Sequence, residues 1–206
     1  MTKISYIVSA YNRPEMLRCC LASLAVQTDQ DFEVIVADNA PTYEQQKVNR
    51  RIVQLFDERF SHVDTDCVKT CAGWDCYHSA EYVAALYSVK SEWLCFPSDD
   101  SYYMPDFQQK MIAALENQQT AFTYAFAYCD WVSNYAAYHA VIAEPRISRI
   151  DKTGFIVRRS VFSAFGFPMK SKDTLAPIAC DGYFIEKLIG EGYRGVKVNE
   201  ILMVHN

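Results

Sequence analysis

Two adjacent carboxylates, Asp99 and Asp100, carry the clearest chemical signal in this chain of 206 residues. They follow the apolar run 93–96, Pro97 and Ser98, so we expect them where a buried strand meets solvent. Two like charges so close repel each other unless a cation or hydrogen-bond donors compensate them. Carboxylate oxygens suit hard cations such as Mg²⁺ or Mn²⁺, which also bind diphosphate oxygens. The alternative is a simple turn, because Ser-Asp-Asp-Ser is common turn chemistry.

A third carboxylate, Asp38, follows the apolar run 34–37 in the same way. A carboxylate only accepts hydrogen bonds, so it favours uracil, thymine or guanine, whose ring N–H donates, over adenine or cytosine. The alternative is an aspartate that caps a helix or closes a turn. Tyr11, just after the first apolar run, would either stack on a base or cover the edge of the sheet.

Apolar runs and helical spacings place these side chains on an alternating set of elements. The pattern predicts strands at 4–9, 32–37, 60–63, 93–96, 122–131 and 155–158, with one or two further strands in 193–204. It predicts helices from Pro14 onward and at 43–56, 75–89, 106–116 and 182–190, with a helical turn at 160–164. Such alternation favours an α/β fold with parallel strands joined by right-handed crossovers.

Ligands of α/β sheets bind beyond the carboxyl ends of the strands. Three predicted strand ends carry polar side chains, at 10–13, at Asp38 and Asn39, and at 98–100. The sequence therefore predicts one crevice in which the residues at these three ends converge.

Composition excludes several classes of protein. Half of the residues are hydrophobic and 22% are charged, as in a globular domain. A formal net charge of -5 gives no basic surface for nucleic acid and no polybasic segment for anionic lipids. No apolar run approaches the roughly 20 residues that span a bilayer, and the first eight residues lack the apolar core of a signal peptide. We expect a cytoplasmic protein, with peripheral attachment to the inner face of a membrane left open.

The eight cysteines do not indicate a metal site. Cys67, Cys71 and Cys76 lack the Cys-x2-Cys spacing of zinc sites, and no second pair follows at zinc-ribbon distance. We expect reduced thiols, most of them packed as small hydrophobic residues.

Four segments, in order along the chain, together resemble family-2 glycosyltransferases. Residues 7–14 (IVSAYNRP) and 32–40 (FEVIVADNA) are similar to the opening of that family. Residues 92–105 (EWLCFPSDDSYYMP) resemble its acidic metal motif, and Cys180-Asp181 with 190–193 (GEGY) resembles its catalytic-base segment. The resemblance covers nearly the whole chain and implies the GT-A fold, a Rossmann-like, mostly parallel sheet flanked by helices with a small acceptor-side region.

Position by position, the resemblance implies a binding site for a nucleoside-diphosphate sugar. The residues that it assigns to the nucleotide are Ala10, Tyr11, Asn12, Arg13, Asp38 and Asp99, together with Trp74 and Asp75. The segment 71–76, which contains those last two residues, departs from the family's usual Gly-x-x-x-Ala-Arg-Asn run. Asp100 is the implied ligand of Mn²⁺ or Mg²⁺, and His205 matches a C-terminal histidine that approaches the metal or diphosphate in some members.

The resemblance also implies an inverting mechanism in which Asp181 is the general base. A carboxylate opposite the leaving group would take the proton of the attacking hydroxyl. A metal would neutralise the departing diphosphate, which gives a single displacement with inversion. Cys180 departs from the Glu, Gly or Ser that usually precedes this aspartate.

We expect one domain, 1–206, in which 1–131 binds the nucleotide sugar and 132–206 binds the acceptor and carries the base. A UDP-sugar is the favoured donor because of Asp38. The acceptor would be a hydroxyl of a glycan, a lipid-linked molecule or another compound, as in polysaccharide biosynthesis.

Three other functions compete with sugar transfer. A dinucleotide dehydrogenase needs Gly-x-Gly-x-x-Gly after the first strand, and a sugar nucleotidyltransferase needs a glycine-rich, basic loop there. Residues 10–14 contain no glycine. A non-catalytic nucleotide-sugar-binding module would share the fold, but the presence of Asp99, Asp100 and Asp181 argues against it.

Overall fold

A computed structural model describes residues 2–65, 84, 88–115, 120–129, 139–141, 145–147, 150–167 and 180–206. Its strands are β1 (Ile4–Ala10), β2 (Phe32–Asp38), β3 (Phe60–Asp64), β4 (Trp93–Cys95), β5 (Ser101–Tyr103), β6 (Thr120–Cys129), β7 (His139–Val141), β8 (Phe155–Arg158) and β9 (Arg194–His205). Its α-helices are α1 (Pro14–Ala25), α2 (Tyr43–Val53), α3 (Phe107–Leu115), α4 (Arg159–Phe165) and α5 (Cys180–Gly190), and a short 3-10 turn spans Lys152–Gly154.

The described strands form one sheet in the order β3-β2-β1-β4-β8-β6-β9-β5, with β7 paired to β6. Strands β1, β2, β3, β4, β6 and β9 run in one direction, whereas β5, β7 and β8 run against them. The expected α/β class with a mostly parallel sheet is therefore present, and antiparallel strands are inserted only in its second half.

Both faces of the sheet are covered, which explains the almost continuous apolar runs in β1 and β2. Ile4, Tyr6 and Val8 of β1 face one core cluster, and the alternate residue Ile7 faces the other. The first cluster receives apolar residues of α1 and α3, and the second receives those of α4 and α5. The sheet is thus the middle layer of three.

Local sequence explains where the first helices begin. Pro14 occupies the first turn of α1, where its fixed φ suits a helix and its missing N–H is not needed. Thr42 caps α2, since its side chain accepts a hydrogen bond from the Gln45 N–H at 3.3 Å. Both helices therefore start just after the strand ends that were expected to form the crevice.

The structure differs from the sequence pattern at short and late elements. β5 was not expected, because three residues between an acidic turn and Met104-Pro105 carry no strand signal. β7 was not expected either, and the last strand region is the single strand β9, whose pairing with β6 shifts register at irregularities. The helix predicted at 75–89 lies largely outside the described residues, as do Trp74, Asp75, Cys67, Cys71 and Cys76.

The two predicted parts of the chain share this sheet. β8 pairs antiparallel with β4, and β9 pairs antiparallel with β5, so strands after residue 132 flank the acidic segment on both sides. The division of labour between 1–131 and 132–206 stays a prediction. Among the helices that the structure describes, none is both long and apolar enough to cross a membrane.

Because β5 and β8 run against the main direction, their first residues share an edge with the last residues of the other strands. This edge, which we call the carboxyl edge, collects Ala10, Asp38, Ser101, the turn before β8, and His205. The sheet therefore brings together side chains that lie up to 195 positions apart, from Ala10 to His205.

Phe96 lies three residues before Asp99 in the buried core, and its substitution tests the packing of that core. The ring is fully buried, with centroids 4.6 Å from Phe162 and 4.9 Å from Phe167. We expect Phe96→Ala to lower the free energy of unfolding by about 3–5 kcal/mol, from lost burial and the remaining cavity. Leu55→Ala, at a position 73% exposed, should change it by less than about 0.5 kcal/mol.

Urea unfolding of both variants provides the measurement, and Phe96→Leu serves in place of the alanine variant if that protein does not fold. Equal, small effects at positions 96 and 55 would contradict the packing described here.

Candidate functional site

The acidic pair stands at the carboxyl edge because its segment continues the pairing of β4 with β1. The Ser9 N–H donates to the Pro97 carbonyl at 2.9 Å, and the Asp99 N–H donates to the Ser9 carbonyl at 3.0 Å. Ser9 and Ser98 form an isolated parallel bridge. The backbone before Asp100 is therefore held as an extension of the sheet, and β5 begins immediately after it.

Both carboxylates face a cation that the start of α1 supplies. Asp99, whose side chain is 1% exposed, accepts from the Tyr11 N–H at 3.0 Å and lies 2.5 Å from Arg13 Nη2. Asp100 pairs with Arg13 Nη1, and its Oδ1 lies 3.3 Å from His205 Nε2. Arg13 thus bridges the two acids while its own side chain stays 45% exposed.

The pKa values of the two acids move in opposite directions. Burial raises the pKa of Asp99, and the Tyr11 N–H and the Arg13 charge offset this only in part. Burial also acts to raise the pKa of Asp100, but the hydrogen bond and charge of His205, with the charge of Arg13, lower it on balance. Asp100 is therefore the more firmly ionised member of the pair.

Two oxygens of the pair lack hydrogen bonds of regular geometry. Asp99 Oδ1 and Asp100 Oδ1 are buried and have only the ion-pair contacts with Arg13 and His205. Among the residues that the structure describes, no three carboxylate, imidazole or thiol groups are arranged as a ready-made metal site. The arrangement offers one or two protein ligands to a cation, with the remaining positions left to other oxygens.

His205 connects the acidic pair to the turn before β8. Its Nδ1 lies 2.8 Å from Asp151 Oδ2, on the opposite side of the ring from Asp100. Burial acts to raise the pKa of Asp151, but the charge and hydrogen bond of His205 and the hydrogen bonds from Thr153 lower it well below its usual range. An imidazole therefore stands between two carboxylates, with each ring nitrogen facing one of them.

The expected base, Asp181, lies on the other side of the same turn. Its Oδ2 accepts from the Lys152 N–H at 3.0 Å and its Oδ1 accepts from the Gly182 N–H at 2.7 Å. It stands in the first turn of α5, where the helix dipole favours a negative charge. A side chain at Gly182 would place its Cβ 2.5 Å from Ile147 Cα, so the close approach of backbone here requires glycine.

An open pocket of about 220 Å³ lies at the carboxyl edge. Its walls are Ser9, Ala10, Tyr11, Arg13, Asn39, Ser98 and Lys152. The residue Lys152 is 6% exposed, and its Nζ donates to Ser9 Oγ at 2.8 Å. The pocket therefore has a buried ammonium group and a half-exposed guanidinium group in its walls.

Asp38 lies at the same edge but is completely buried. Its Oδ1 accepts from the Ala40 N–H at 2.9 Å and from Asn49 Nδ2 at 3.1 Å, and its Oδ2 lies 2.8 Å from His62 Nε2. A carboxylate has about four lone-pair positions, and these three contacts with described residues occupy most of them. Through its bond with the Ala40 N–H, Asp38 holds the backbone around Asn39, which lines the pocket.

The structure brings most of the expected site residues together. Ala10, Tyr11 and Arg13 line the pocket, with Asp99 and Asp100 beside them. Asn12 is exposed and accepts a hydrogen bond from Gln45 Nε2 at 2.5 Å, away from the acids. Asp151 and Lys152 were not predicted as site residues from the sequence. Their only local signal is a turn-like Asp-Lys-Thr-Gly before a strand, and that strand's reversed direction was not foreseeable.

Comparison with known proteins identifies relatives of this chain. The sequence profile of Glycosyl transferase family 2 matches residues 5–171. An uncharacterized glycosyltransferase of Haemophilus influenzae is 27% identical over 211 residues, which cover 97% of this chain and 66% of that protein. The chain thus spans slightly less than two thirds of that relative's length.

Solved structures share the architecture. S. aureus TarS 1-349 superimposes with a TM-score of 0.69 at 17% identity, over 100% of this chain and 60% of TarS 1-349. Its complex with UDP-GlcNAc gives 0.68 at 19%, over 98% of this chain and 58% of that one. The mannosyltransferase PcManGT from Pyrobaculum calidifontis, solved with GDP-Man and Mn2+, gives 0.68 at 15%, over 98% and 56%. These likenesses confirm the GT-A fold.

The opposite pKa shifts predict opposite pH dependences for two matched variants. The pKa of Asp100 is lowered from its ordinary value of 3.8, so its ionisation stabilises the fold at a pH above 3.8. This stabilisation is lost as the pH falls through the folded-state pKa. The stability of wild type relative to Asp100→Asn should therefore rise with pH. For Asp99, the raised pKa means that ionisation costs stability, so wild type should lose stability relative to Asp99→Asn as pH rises from 3.8.

Urea unfolding of the three proteins between about pH 3 and pH 7 measures both slopes. Slopes of the same sign would contradict the assigned environments of the two carboxylates.

Proposed function

The chain belongs to glycosyl transferase family 2, and on this basis we propose that it moves a sugar from a UDP-sugar donor to a hydroxyl acceptor with inversion. One observation carries the proposal. The adjacent acids at the carboxyl edge are held against Arg13 and His205, and the turn that contacts His205 also holds Asp181. The acidic pair contacts Arg13 and Asp181 contacts Lys152, and both partners line one pocket, which supports a metal-binding role for the pair and a base role for Asp181.

The residues present fit a divalent cation. Buried carboxylate oxygens that have only ion-pair contacts are suitable ligands for a hard cation, and neutral imidazole is a common ligand as well. Asp100 and His205 would hold Mn²⁺ or Mg²⁺, with Asp99 beside them and donor phosphate oxygens completing the shell. When bound, the metal would supply Lewis-acid neutralisation of the leaving diphosphate.

Arg13 and Lys152 supply the positive charge that a diphosphate needs. Arg13 is 45% exposed, so its guanidinium has room to turn from the acids to a phosphate, which it can bind through two N–H groups. Lys152 places its ammonium group in the pocket wall next to Ser9. In our proposal, the two side chains bind the diphosphate from different walls of the same pocket.

Asp181 acts as the general base in our proposal. The Lys152 and Gly182 N–H groups orient the carboxylate, because each donates a hydrogen bond to one of its oxygens. A carboxylate so oriented can accept the proton of an attacking hydroxyl. One base and one displacement give inversion at the anomeric carbon.

The nucleoside would lie against Tyr11 and Asn39, at the ends of β1 and β2. Asp38 is fully buried and already has three hydrogen-bond contacts with described residues. Recognition of uracil by Asp38 would therefore require a movement of neighbouring side chains that exposes a carboxylate oxygen. The structure of TarS with UDP-GlcNAc is compatible with a UDP-sugar donor for this chain. The acceptor is proposed only as a hydroxyl compound.

Turnover of Asp181→Asn tests the proposal. The amide cannot take a proton, so release of UDP from UDP-GlcNAc, UDP-glucose or UDP-galactose, with water or a hydroxyl compound as acceptor, should fall by roughly a hundredfold or more. Affinity for UDP should stay within about twofold, because asparagine has the size of aspartate and its amide oxygen can still accept from the Lys152 N–H. Glu191→Gln, at an exposed position just after α5, is the matched control.

Continuous detection of released UDP in the presence of Mn²⁺ gives kcat and KM for each protein. Near-normal kcat in Asp181→Asn would show that another group takes the proton. Tight UDP binding with no turnover of any UDP-sugar by wild type would favour a non-catalytic binding module.

A further inference from the structure

We propose that Asp151 is a positioning residue that aligns both reactive ends of the site, His205 on the metal side and Asp181 on the base side. This inference rests on the proposed function. The family resemblance gave Asp151 no role, and nothing local in its sequence distinguishes it from an ordinary turn residue. One carboxylate oxygen of Asp151 contacts His205, and the other contacts Thr153 in the turn that holds Asp181.

Asp151 Oδ2 sets the orientation of the His205 ring. The 2.8 Å contact with Nδ1 places the Nδ1 hydrogen on the Asp151 side, because a carboxylate can only accept. Nε2 then faces Asp100 Oδ1, 3.3 Å away, so that both residues would present a ligand atom to a metal at the same place. A carboxylate on the far nitrogen of a ligating histidine fixes its tautomer and ring plane in this way.

Asp151 Oδ1 shapes the turn that holds Asp181. It accepts from the Thr153 N–H at 2.8 Å and from Thr153 Oγ1 at 2.7 Å, and so caps the 3-10 turn Lys152–Gly154. In that conformation the Lys152 N–H is directed at Asp181 Oδ2, at 3.0 Å. Displacement of Asp151 would therefore disturb the metal side directly and the base side through one peptide group.

The turn has a second anchor, which makes Asp151 open to substitution. Tyr103 Oη donates to the Thr153 carbonyl at 2.8 Å, and Thr153 is fully buried. Gly154 N–H also donates to the Asp151 carbonyl at 3.0 Å, a bond that any side chain at 151 preserves. Asp151→Asn should therefore fold and lose chiefly the carboxylate.

Binding of Mn²⁺ in the presence of saturating UDP, measured by electron paramagnetic resonance of the free ion, tests the inference without turnover. In Asp151→Asn the amide group can donate to Nδ1, which favours the tautomer with hydrogen on Nε2 and removes the metal ligand. We expect the Mn²⁺ affinity to fall about 10–100-fold, the range for lost partners of metal ligands. Thr153→Val removes one cap contact and the 3.4 Å contact of Thr153 Oγ1 with Met203 Sδ but keeps the Thr153 N–H bond to Asp151, so the affinity should stay within about threefold of wild type.

A double-mutant cycle separates positioning from general damage. If Asp151 acts through His205, Asp151→Asn should cause no further loss of Mn²⁺ affinity in a His205→Ala background. In the single variant, kcat for UDP-sugar turnover should fall more than KM for the donor rises, because the aligned groups act mainly in the transition state.

Two results would overturn the inference. One is wild-type Mn²⁺ affinity in a folded Asp151→Asn protein, and the other is an equal loss of affinity with and without His205. If Asp151→Asn does not fold, Asp151→Ser replaces it in the same cycle. A wild-type protein that binds UDP but no Mn²⁺ would instead overturn the metal part of the proposed function, and this inference with it.

Discussion

The structure depends on the compensation of two adjacent carboxylates at the end of a buried strand. Asp99 and Asp100 are almost fully buried, and unpaired charges there would cost several kcal/mol. Arg13, from the turn after β1, bridges both acids, and His205, from the end of β9, faces the second. Arg13 and His205 thus compensate the charge of the acids, and in our proposal a metal and a diphosphate would join these groups.

The topology of the sheet brings the compensating groups to the acidic pair. A purely parallel sheet would bring only the ends of parallel strands to the carboxyl edge, and β5 and β8 add the beginnings of two antiparallel strands. β9 pairs with both β5 and β6, which sets His205 opposite Ser101, directly after Asp100. The turn before β8 then supplies Asp151 and Lys152. The second half of the chain therefore completes a site that the first half begins.

Much of this could be predicted from sequence where the signal is local. Continuous apolar runs followed by polar residues identified β1, β2 and the acidic segment, and motif order gave the family, which the comparisons confirm. Asp151 and His205, 54 positions apart, could not be paired, because their contact depends on strand directions and on an irregular register. The hydrogen-bond partners of Asp38 could not be predicted either, since Asn49 and His62 lie on α2 and β3.

We propose that the acidic pair and its cationic neighbours form a cation-dependent diphosphate site. Calorimetric titration of wild type with UDP, in Mn²⁺ and separately in EDTA, tests it most directly, with Asp100→Ala as the matched variant. We expect Mn²⁺ to strengthen UDP binding to wild type by at least about tenfold, since phosphate oxygens would share the metal shell. Asp100→Ala should bind UDP weakly and equally in both buffers. Equal affinity of wild type for UDP in Mn²⁺ and in EDTA would contradict a cation-dependent diphosphate site at the acidic pair.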